Sequence, residues 1–170
     1  LGKVKCRISR PVEGRIVNAT VSKTPSGKYF VSLCCALEKD IPMLQPTGAV
    51  VGLDMGVKTF AVSSDGTEYQ NHKYLTQSEK KLAKLQRSLS RKTKGSANWQ
   101  KARIRVARLH EHIANQRRDM QQKLSSRLIR QYDVICVEDL GVQNMVRNHK
   151  LAKAISDASW GEFFRQLTYK

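Results

Sequence analysis

Acidic residues are scarce in this chain. Asp and Glu together number 14 among 170 residues, whereas Lys and Arg number 31, which gives a formal net charge of +17. Such an excess predicts a polyanionic partner, because each phosphate that a cation neutralises releases condensed counterions and strengthens binding at low salt. Nucleic acid is the first candidate for that partner, and an anionic membrane surface is the alternative.

Long apolar runs and closely spaced cysteines are also missing. No apolar run approaches the roughly 20 residues that a membrane-spanning helix needs, and no secretory signal peptide is recognisable. We therefore expect a cytoplasmic protein that has no membrane partner. The cysteines form no C-x-x-C pair, which excludes a zinc ribbon from these residues; they are Cys6, Cys34, Cys35 and Cys136.

The N-terminal part of the chain has the pattern of β-strands. Hydrophobic alternation predicts strands at residues 4–8, 16–22 and 29–37, with a turn at 24–27. These elements are typical of an antiparallel sheet or a small β-barrel. Two prolines interrupt the pattern within residues 39–47, which we interpret as a linker. The sequence therefore predicts two domains, residues 1–47 and 48–170.

Two apolar segments of the second domain each end at an acidic residue. One carries Asp54 into a glycine-flanked turn, and the other stops at Glu138; the segments lie within residues 50–63 and 134–140. Two buried strands that each end in a carboxylate suggest a shared divalent cation, because Mg²⁺ takes oxygen ligands and keeps several waters. Such an ion can activate water or clamp a phosphate oxygen, so we expect Mg²⁺, with Mn²⁺ as a substitute, and phosphodiester chemistry.

Three further acids are expected to have other roles. Asp65 precedes Gly66 between two strand patterns, and this pair is a strong hairpin-turn signal because both positions tolerate positive φ. Asp139 follows Glu138, so strand alternation directs it to the opposite face. Asp157 stands before a helical pattern, which favours a capping or structural role.

Helical patterns separated by a basic loop follow the first strands. Residues 76–79 have the form of a capping box that opens a helix, and residues 91–98 form the loop. A second, longer helix and thus a helical hairpin are predicted by an apolar stripe: Trp99, Ala102, Val106, Leu109, Ile113, Met120, Leu124 and Leu128. Another capping box at residues 159–162 predicts a further helix.

The order of these elements is typical of an α/β domain of the ribonuclease H type. It runs strand, hairpin, third strand, helical insertion and a strand that ends in an acid. In that architecture the strand after the insertion lies parallel to the first strand, so their ends adjoin. Asp54 and Glu138 are then expected to meet.

Three sequence blocks resemble a known family, the TnpB (OrfB) proteins of bacterial and archaeal insertion sequences, relatives of type V CRISPR effector nucleases. The blocks are GLDMGVKTF at 52–60, VEDL at 137–140 and ISDASWGEF at 155–163. The likeness also includes SGKYFVS at 26–32, which resembles the end of the family's β-barrel (wedge) domain. A basic helical hairpin between the first two blocks strengthens it.

The resemblance implies an RNA-guided DNA endonuclease whose RuvC-like domain uses three acids and two Mg²⁺ ions. Asp54 matches the first acid and Glu138 the second, whereas Asp157 does not match the third. In the family, that acid and a zinc ribbon with structural Zn²⁺ lie downstream of the position of Lys170. The implied partners are a DNA target and a guide RNA from the transposon end, in the cytoplasm of a prokaryote, at the nucleoid.

The cationic residues of the hairpin and its surroundings are the expected phosphate contacts. Their charge is of one sign, which favours nucleic-acid contact over a merely solvated face. The set is Lys58, Arg91, Lys92, Lys94, Lys101, Arg103, Arg105, Arg108, Arg117, Arg118 and Arg147. The chain starts without Met and stops within an amphipathic pattern, so we expect a piece of a longer protein that binds nucleic acid and cuts poorly by itself.

Three other functions remain open at this level. A nucleic-acid-binding protein with a decayed nuclease fold would keep Asp54 and Glu138 only as strand-end acids. A transposase that joins DNA strands could use the same fold, because fold does not decide function. An actin-like ATPase is disfavoured, since it needs glycine-rich phosphate loops and the hairpin carries only Gly66.

Overall fold

The computed structural model of the chain describes residues 5–38 and 45–170. The chain divides into two compact units, Leu1–Met43 and Leu44–Lys170. The linker predicted at 39–47 falls largely outside the described residues, so the domain boundary at 47/48 stays a prediction.

The first unit contains an antiparallel β-hairpin. Strands β1 (Arg15–Lys23) and β2 (Tyr29–Ala36) pair with Val21 opposite Val31. The turn between them is closed by the Gly27 amide, which donates to the Thr24 carbonyl at 2.9 Å. Gly27 has a φ of 88°, a conformation that favours glycine. The two strands and the turn predicted here are confirmed.

A barrel is not formed by the described residues of this unit. Residues 5–8 are not a strand, although alternation predicted one at 4–8, and Val4 lies outside the described part. Ile8 is 72% exposed, so its side of that alternation is not buried by the residues that the structure describes. Alternation predicts a strand only where one face is buried and a partner strand pairs with it, which explains the wrong prediction.

The second unit is a mixed α/β structure built on a four-stranded sheet. The strands are β3 (Val50–Met55), β4 (Thr59–Ser63), β5 (Glu68–Gln70) and β6 (Val134–Val137). Their order is β5-β4-β3-β6, with β3 antiparallel to β4 and parallel to β6. The helices are α1 (Tyr74–Ser90), α2 (Ala97–Gln131), α3 (Val142–Met145), α4 (His149–Ala158) and α5 (Trp160–Tyr169). The predicted α/β class and the helical insertion between β5 and β6 are confirmed.

Helix α2 takes part in two hydrophobic clusters. Its N-terminal half packs Leu109 and Ile113 against Leu82 of α1, which closes the hairpin. Its C-terminal half contributes Leu124 and Leu128 to the main core, which joins β3, β4, α4 and α5. In that core, the rings of Phe60 and Phe163 meet edge to face at 5.1 Å. The predicted apolar stripe is thus the buried side of α2.

The start of α1 differs from the prediction. The helix begins at Tyr74, two residues before the predicted cap Thr76, and its N-cap residue Lys73 makes no side-chain capping bond. The Asp157 carboxylate, at the end of α4, accepts hydrogen bonds from the amides of Leu75 at 3.1 Å and Thr76 at 3.3 Å. A cap supplied from another helix replaces the local capping box.

The start of α5 was predicted at the right place but with the wrong bonds. The helix begins at Trp160, while Ser159 adopts a left-handed conformation with φ of 57° and makes no side-chain capping bond. Glu162 accepts two hydrogen bonds from Arg165, each at 2.8 Å. The carboxylate is therefore engaged one turn further along the helix.

Among the described helices, none is both long enough and apolar enough to cross a membrane.

Candidate metal centre and nucleic-acid interface

Asp54 lies near the end of β3 on its solvent side. Burial alternates along this strand: Val51, Leu53 and Met55 are buried, whereas Asp54 is exposed. Successive side chains of a strand point to opposite faces, so packing of the apolar residues into the core fixes the outward direction of the carboxylate. The placement of this acid therefore follows from the hydrophobic pattern of its own strand.

The parallel pairing of β3 with β6 brings the second acid to the same edge. Gly52 pairs with Cys136 and Leu53 with Val137, so the next position in register places Asp54 beside Glu138. Both residues are exposed. The expected juxtaposition of the two acids agrees with this register. The described residues contain no group of three His, Cys, Asp or Glu side chains that could hold a metal.

Asp133 fixes the register at the other end of this strand pair. Its carboxylate accepts hydrogen bonds from the amides of Thr47 at 2.8 Å and Gly48 at 2.6 Å, and from the Thr47 hydroxyl at 3.0 Å. The Asp133 amide donates to the Ala49 carbonyl at 2.9 Å. The amides of Thr47 and Gly48 lower the pKa of Asp133. A one-residue slip would turn Glu138 away from Asp54, so this clamp positions the site.

Sequence reasoning missed Asp133. Its signal was an acid placed directly before a β-rich run, but its partners stand 85 and 86 residues earlier. A pattern within one segment cannot reveal such a contact.

The turn after Asp54 depends on glycine. A Cβ atom on Gly56 would stand 2.7 Å from the Thr59 carbonyl oxygen, closer than real contacts allow. The amide of Asn71 supports the turn by donating from Nδ2 to the Val57 carbonyl at 2.9 Å. Lys58 lies in this turn with an exposed side chain. The turn is thus compact and presents one cation next to the acidic edge.

Asp65 is a turn residue, as predicted. The Ser63 hydroxyl and the Thr67 amide donate to its carboxylate, the second at 2.9 Å, and the Tyr132 hydroxyl donates at 2.7 Å. These donors, the Ser63 hydroxyl foremost, hold the pKa of Asp65 well below its usual range. Gly66 follows with a φ of 85°. Both oxygens of the Asp65 carboxylate are engaged in holding the β4–β5 turn.

The carboxylates of Asp54 and Glu138 suit a hard divalent cation. Asp54 and Glu138 offer only oxygen donors, and both are exposed, so an ion held there can keep several waters. Asp139 is also exposed and lies next to Glu138 in the chain. A donor set made of carboxylate oxygens favours Mg²⁺ or Mn²⁺ over softer metals.

Most of the predicted phosphate contacts lie on the surface of the second unit. Arg91 and Lys94 are exposed and Lys92 is half-buried in the loop between α1 and α2, and Arg147 is exposed after α3. The exposed residues on α2 are Lys101, Arg103, Arg105, Arg108 and Arg118. The guanidinium of Arg103 stands 5.9 Å from the ring centroid of Trp99, a cation–π distance. The exposed basic character expected of this hairpin is present.

Arg117 has a different environment. Its Nη2 donates to the Asp157 carboxylate at 3.0 Å, and the two side chains are 21% and 2% exposed. If the buried Asp157 carboxylate lost this partner, its charge would be uncompensated. The ion pair therefore stabilises the folded structure. We therefore assign Arg117 to packing instead of to the phosphate-contacting surface. Asp157 has the structural role predicted for it, although it caps α1 from the last turn of α4.

Comparison with known proteins identifies relatives over most of the chain. The OrfB_IS605 family, described as "Probable transposase", matches residues 32–149. A Streptomyces pristinaespiralis protein named "Putative RNA-guided DNA endonuclease" is 45% identical over 96% of this chain. The Escherichia coli K12 protein "Putative RNA-guided DNA endonuclease InsQ" is 39% identical over 100% of it. A protein of the same description from Mycobacterium tuberculosis is 31% identical over 71%.

The chain spans less than half the length of these relatives, 41% of the Streptomyces protein and 46% of the Escherichia protein. The family match nevertheless includes both strand-end acids, the glycine turn and the entire helical hairpin. This chain belongs to the OrfB (TnpB) family of insertion-sequence proteins.

Proposed function

We propose that the chain forms the nucleic-acid-binding and part of the catalytic region of an RNA-guided DNA endonuclease with a RuvC-like domain. The observation that supports the proposal is the parallel pairing of β3 with β6, in which Leu53 lies opposite Val137, one residue before Asp54 and Glu138. The names of the relatives and the net charge of +17 support the same reaction and the same partners.

Asp54 and Glu138 present carboxylate oxygens to the metal, and two like charges held side by side favour a cation between them. Mg²⁺ at this edge would supply an activated water and neutralise charge on the scissile phosphate. The hydrogen bonds of the Asp133 carboxylate hold the two strands in register, and Gly56 allows the tight turn that follows Asp54. The chain's own contribution is thus a rigid and accessible pair of oxygen donors.

The basic side chains supply positioning. Lys58 is exposed in the turn that follows Asp54, and further exposed arginines lie along α2. Phosphate contacts fix the place and direction of a strand but do not read its bases. Sequence recognition is therefore assigned to base pairing between a guide RNA and the DNA target.

Metal binding is tested by thermal denaturation of the chain with and without Mn²⁺ or Mg²⁺. A ligand that binds only the native state raises the melting temperature, by an amount equivalent to about 2.7 kcal/mol at a hundredfold excess over Kd. We expect this rise in the wild type and its loss in Asp54→Ala and Glu138→Ala. The matched control is Asp139→Ala, which removes an exposed neighbouring acid and should keep the full metal response.

Cleavage is tested with the protein encoded by the complete gene, co-expressed with the RNA transcribed from its flanking DNA. Mg²⁺-dependent cutting of a matched plasmid should be lost in Asp54→Ala and kept in Asp139→Ala. Equal cutting by the wild type and Asp54→Ala would refute the assignment of this acid. A metal response without cutting in any variant would instead favour a decayed nuclease that still binds nucleic acid.

A further inference from the structure

Helix α1 carries three cations that neither the expected phosphate contacts nor the metal site accounts for, and they continue to Arg91, which is one of the expected contacts. Lys80, Lys84 and Arg87 are all exposed, and Arg91 caps the same helix at its C-terminal end. Their spacing of four, three and four residues places them on one narrow side of an α-helix, because residues three and four apart are surface neighbours. We call these four residues the α1 stripe.

The α1 stripe lies on the side of α1 opposite to the side that packs against α2. Leu82 and Leu85 face α2 in the hairpin cluster. The residues of the stripe are offset from these leucines along the helix by numbers of residues that place the cations on the opposite side. The only acid on α1 is Glu79, which pairs with Lys153 of α4 at 2.6 Å. Among the residues that the structure describes, no acid forms an ion pair with Lys80, Lys84 or Arg91.

An unpaired row of this kind disfavours the helix that carries it. Like charges three and four residues apart repel each other, so the stripe destabilises α1 in the absence of a partner. A helix that was merely solvated would gain stability from acids interleaved at these positions, and none is present. The arrangement is typical of a surface whose charges are neutralised by a bound polyanion.

We propose that the α1 stripe docks the sugar–phosphate backbone of double-stranded DNA. From Lys80 to Arg91 the stripe extends over about 16 Å at 1.5 Å per residue, and the helix holds its charges in a straight, fixed row. A regular duplex backbone matches such a row, whereas a flexible single strand has no need of it. The choice of DNA as the duplex rests on the proposed function, since an RNA-guided DNA endonuclease must hold its target before cutting.

The stripe adds a second contact surface to the hairpin. Apart from Arg147 after α3, the arginines already expected to contact phosphate lie on α2 and in the loop, with Arg91 shared between the loop and the α1 stripe. Two helices with separate basic sides allow the hairpin to hold one backbone on α1 while α2 serves another. The stripe therefore contributes affinity, not base recognition.

The test measures fluorescence anisotropy of a labelled DNA duplex with the 170-residue chain over a series of salt concentrations. The variant Lys80→Gln, Lys84→Gln, Arg87→Gln removes three cations from the stripe. The matched control Lys123→Gln, Arg127→Gln, Arg130→Gln removes three exposed cations with the same spacing from α2. Circular dichroism establishes that both variants remain folded.

We expect the stripe variant to lower the slope of log K against log salt by about 2 to 3, since each phosphate contact on B-DNA contributes about 0.9. The control should change the slope by less than about 1. The charge-retaining variant Lys80→Arg, Lys84→Arg, Arg87→Lys should keep the wild-type slope. Equal losses in the stripe variant and the control would overturn the proposal, because net charge alone would then account for both.

Two further measurements distinguish a failure of this proposal from a failure of the proposed function. A preference of the stripe for an RNA duplex or a single strand, measured as a larger loss with those probes, would overturn the assignment to duplex DNA. Asp54→Ala should leave the salt slope unchanged, and the stripe variant should keep the Mn²⁺-induced rise in melting temperature. If the wild type shows no metal response while the stripe variant still lowers the salt slope, the metal site is refuted and the proposal for the α1 stripe is retained.

Discussion

Removal of the Asp157 carboxylate gives the sharpest test of how the second unit is held together. This side chain is 2% exposed and accepts hydrogen bonds from the Leu75 amide at 3.1 Å, the Thr76 amide at 3.3 Å and Arg117 Nη2 at 3.0 Å. Asp157→Ala therefore uncaps α1 and leaves the Arg117 guanidinium without its acid. Loss of one member of a buried ion pair costs about 3 to 5 kcal/mol, and loss of a cap costs about 1 kcal/mol.

The expected total lies near the lower end of that range. Arg117 is 21% exposed, so water can partly solvate its charge after the substitution. We expect a loss of about 3 kcal/mol in the free energy of unfolding, which corresponds to a fall of roughly 6 to 12 °C in melting temperature. Urea unfolding followed by circular dichroism and tryptophan fluorescence measures it, and coincident transitions justify the two-state treatment.

Two variants control this measurement. Asp119→Ala removes a helical acid whose ion pair with Lys123 is exposed on both sides, 63% for the acid and 75% for the lysine. It should cost less than about 1 kcal/mol. In an Arg117→Met background, Asp157→Ala should cost about 1 to 2 kcal/mol less than in the wild type, because the guanidinium is already gone. A cost for Asp157→Ala equal to that of Asp119→Ala would refute the reasoning.

Three further substitutions test the turn after β3 and the last helix. Gly56→Ala should destabilise the protein by about 1 to 3 kcal/mol in urea unfolding, since its Cβ would meet the Thr59 oxygen at 2.7 Å. Gly161→Ala, where the added Cβ meets no atom within 4 Å, should be neutral or stabilising, and the reverse order would contradict this. The pKa of Glu162 is lowered to about 2, chiefly by the Arg165 hydrogen bond. A lowered folded-state pKa stabilises above the unfolded pKa of 4.5, so this stability should vanish as pH falls from about 5 to about 2. Glu162→Gln should make the melting temperature depend less on pH between about 5 and about 2. A pH dependence equal to that of the wild type would rule out a contribution of Glu162 to stability.

The sequence predicted those parts of the fold that local patterns determine. Asp65-Gly66 predicted its turn because one dipeptide selects the conformation. The apolar stripe from Ala102 to Leu128 predicted α2, because an apolar period near 3.6 residues that continues over many turns is the mark of an α-helix. The parallel pairing of β3 with β6 was predicted from the order of the elements, and the structure confirms it.

Contacts between distant residues account for most of what the sequence did not predict. The first turn of α1 is capped by Asp157, 81 and 82 residues later, so the capping box around Thr76 was a local signal overridden by tertiary structure. The assignment of Arg117 to phosphate contact had the same weakness, since its partner is this same distant carboxylate. Charge on a helix does not by itself distinguish a solvent-facing cation from one paired inside the fold.

The capping of α1 by Asp157 also sets an order in time. The cap follows Leu75 by 82 residues, and at about 5 to 20 residues per second the ribosome needs roughly 4 to 16 s to make them. During that interval α1, a 17-residue helix that would be marginal alone, can pack against α2 but lacks its cap. The first turn of α1 is consequently the last part of that helix to gain its native partners as the chain is made.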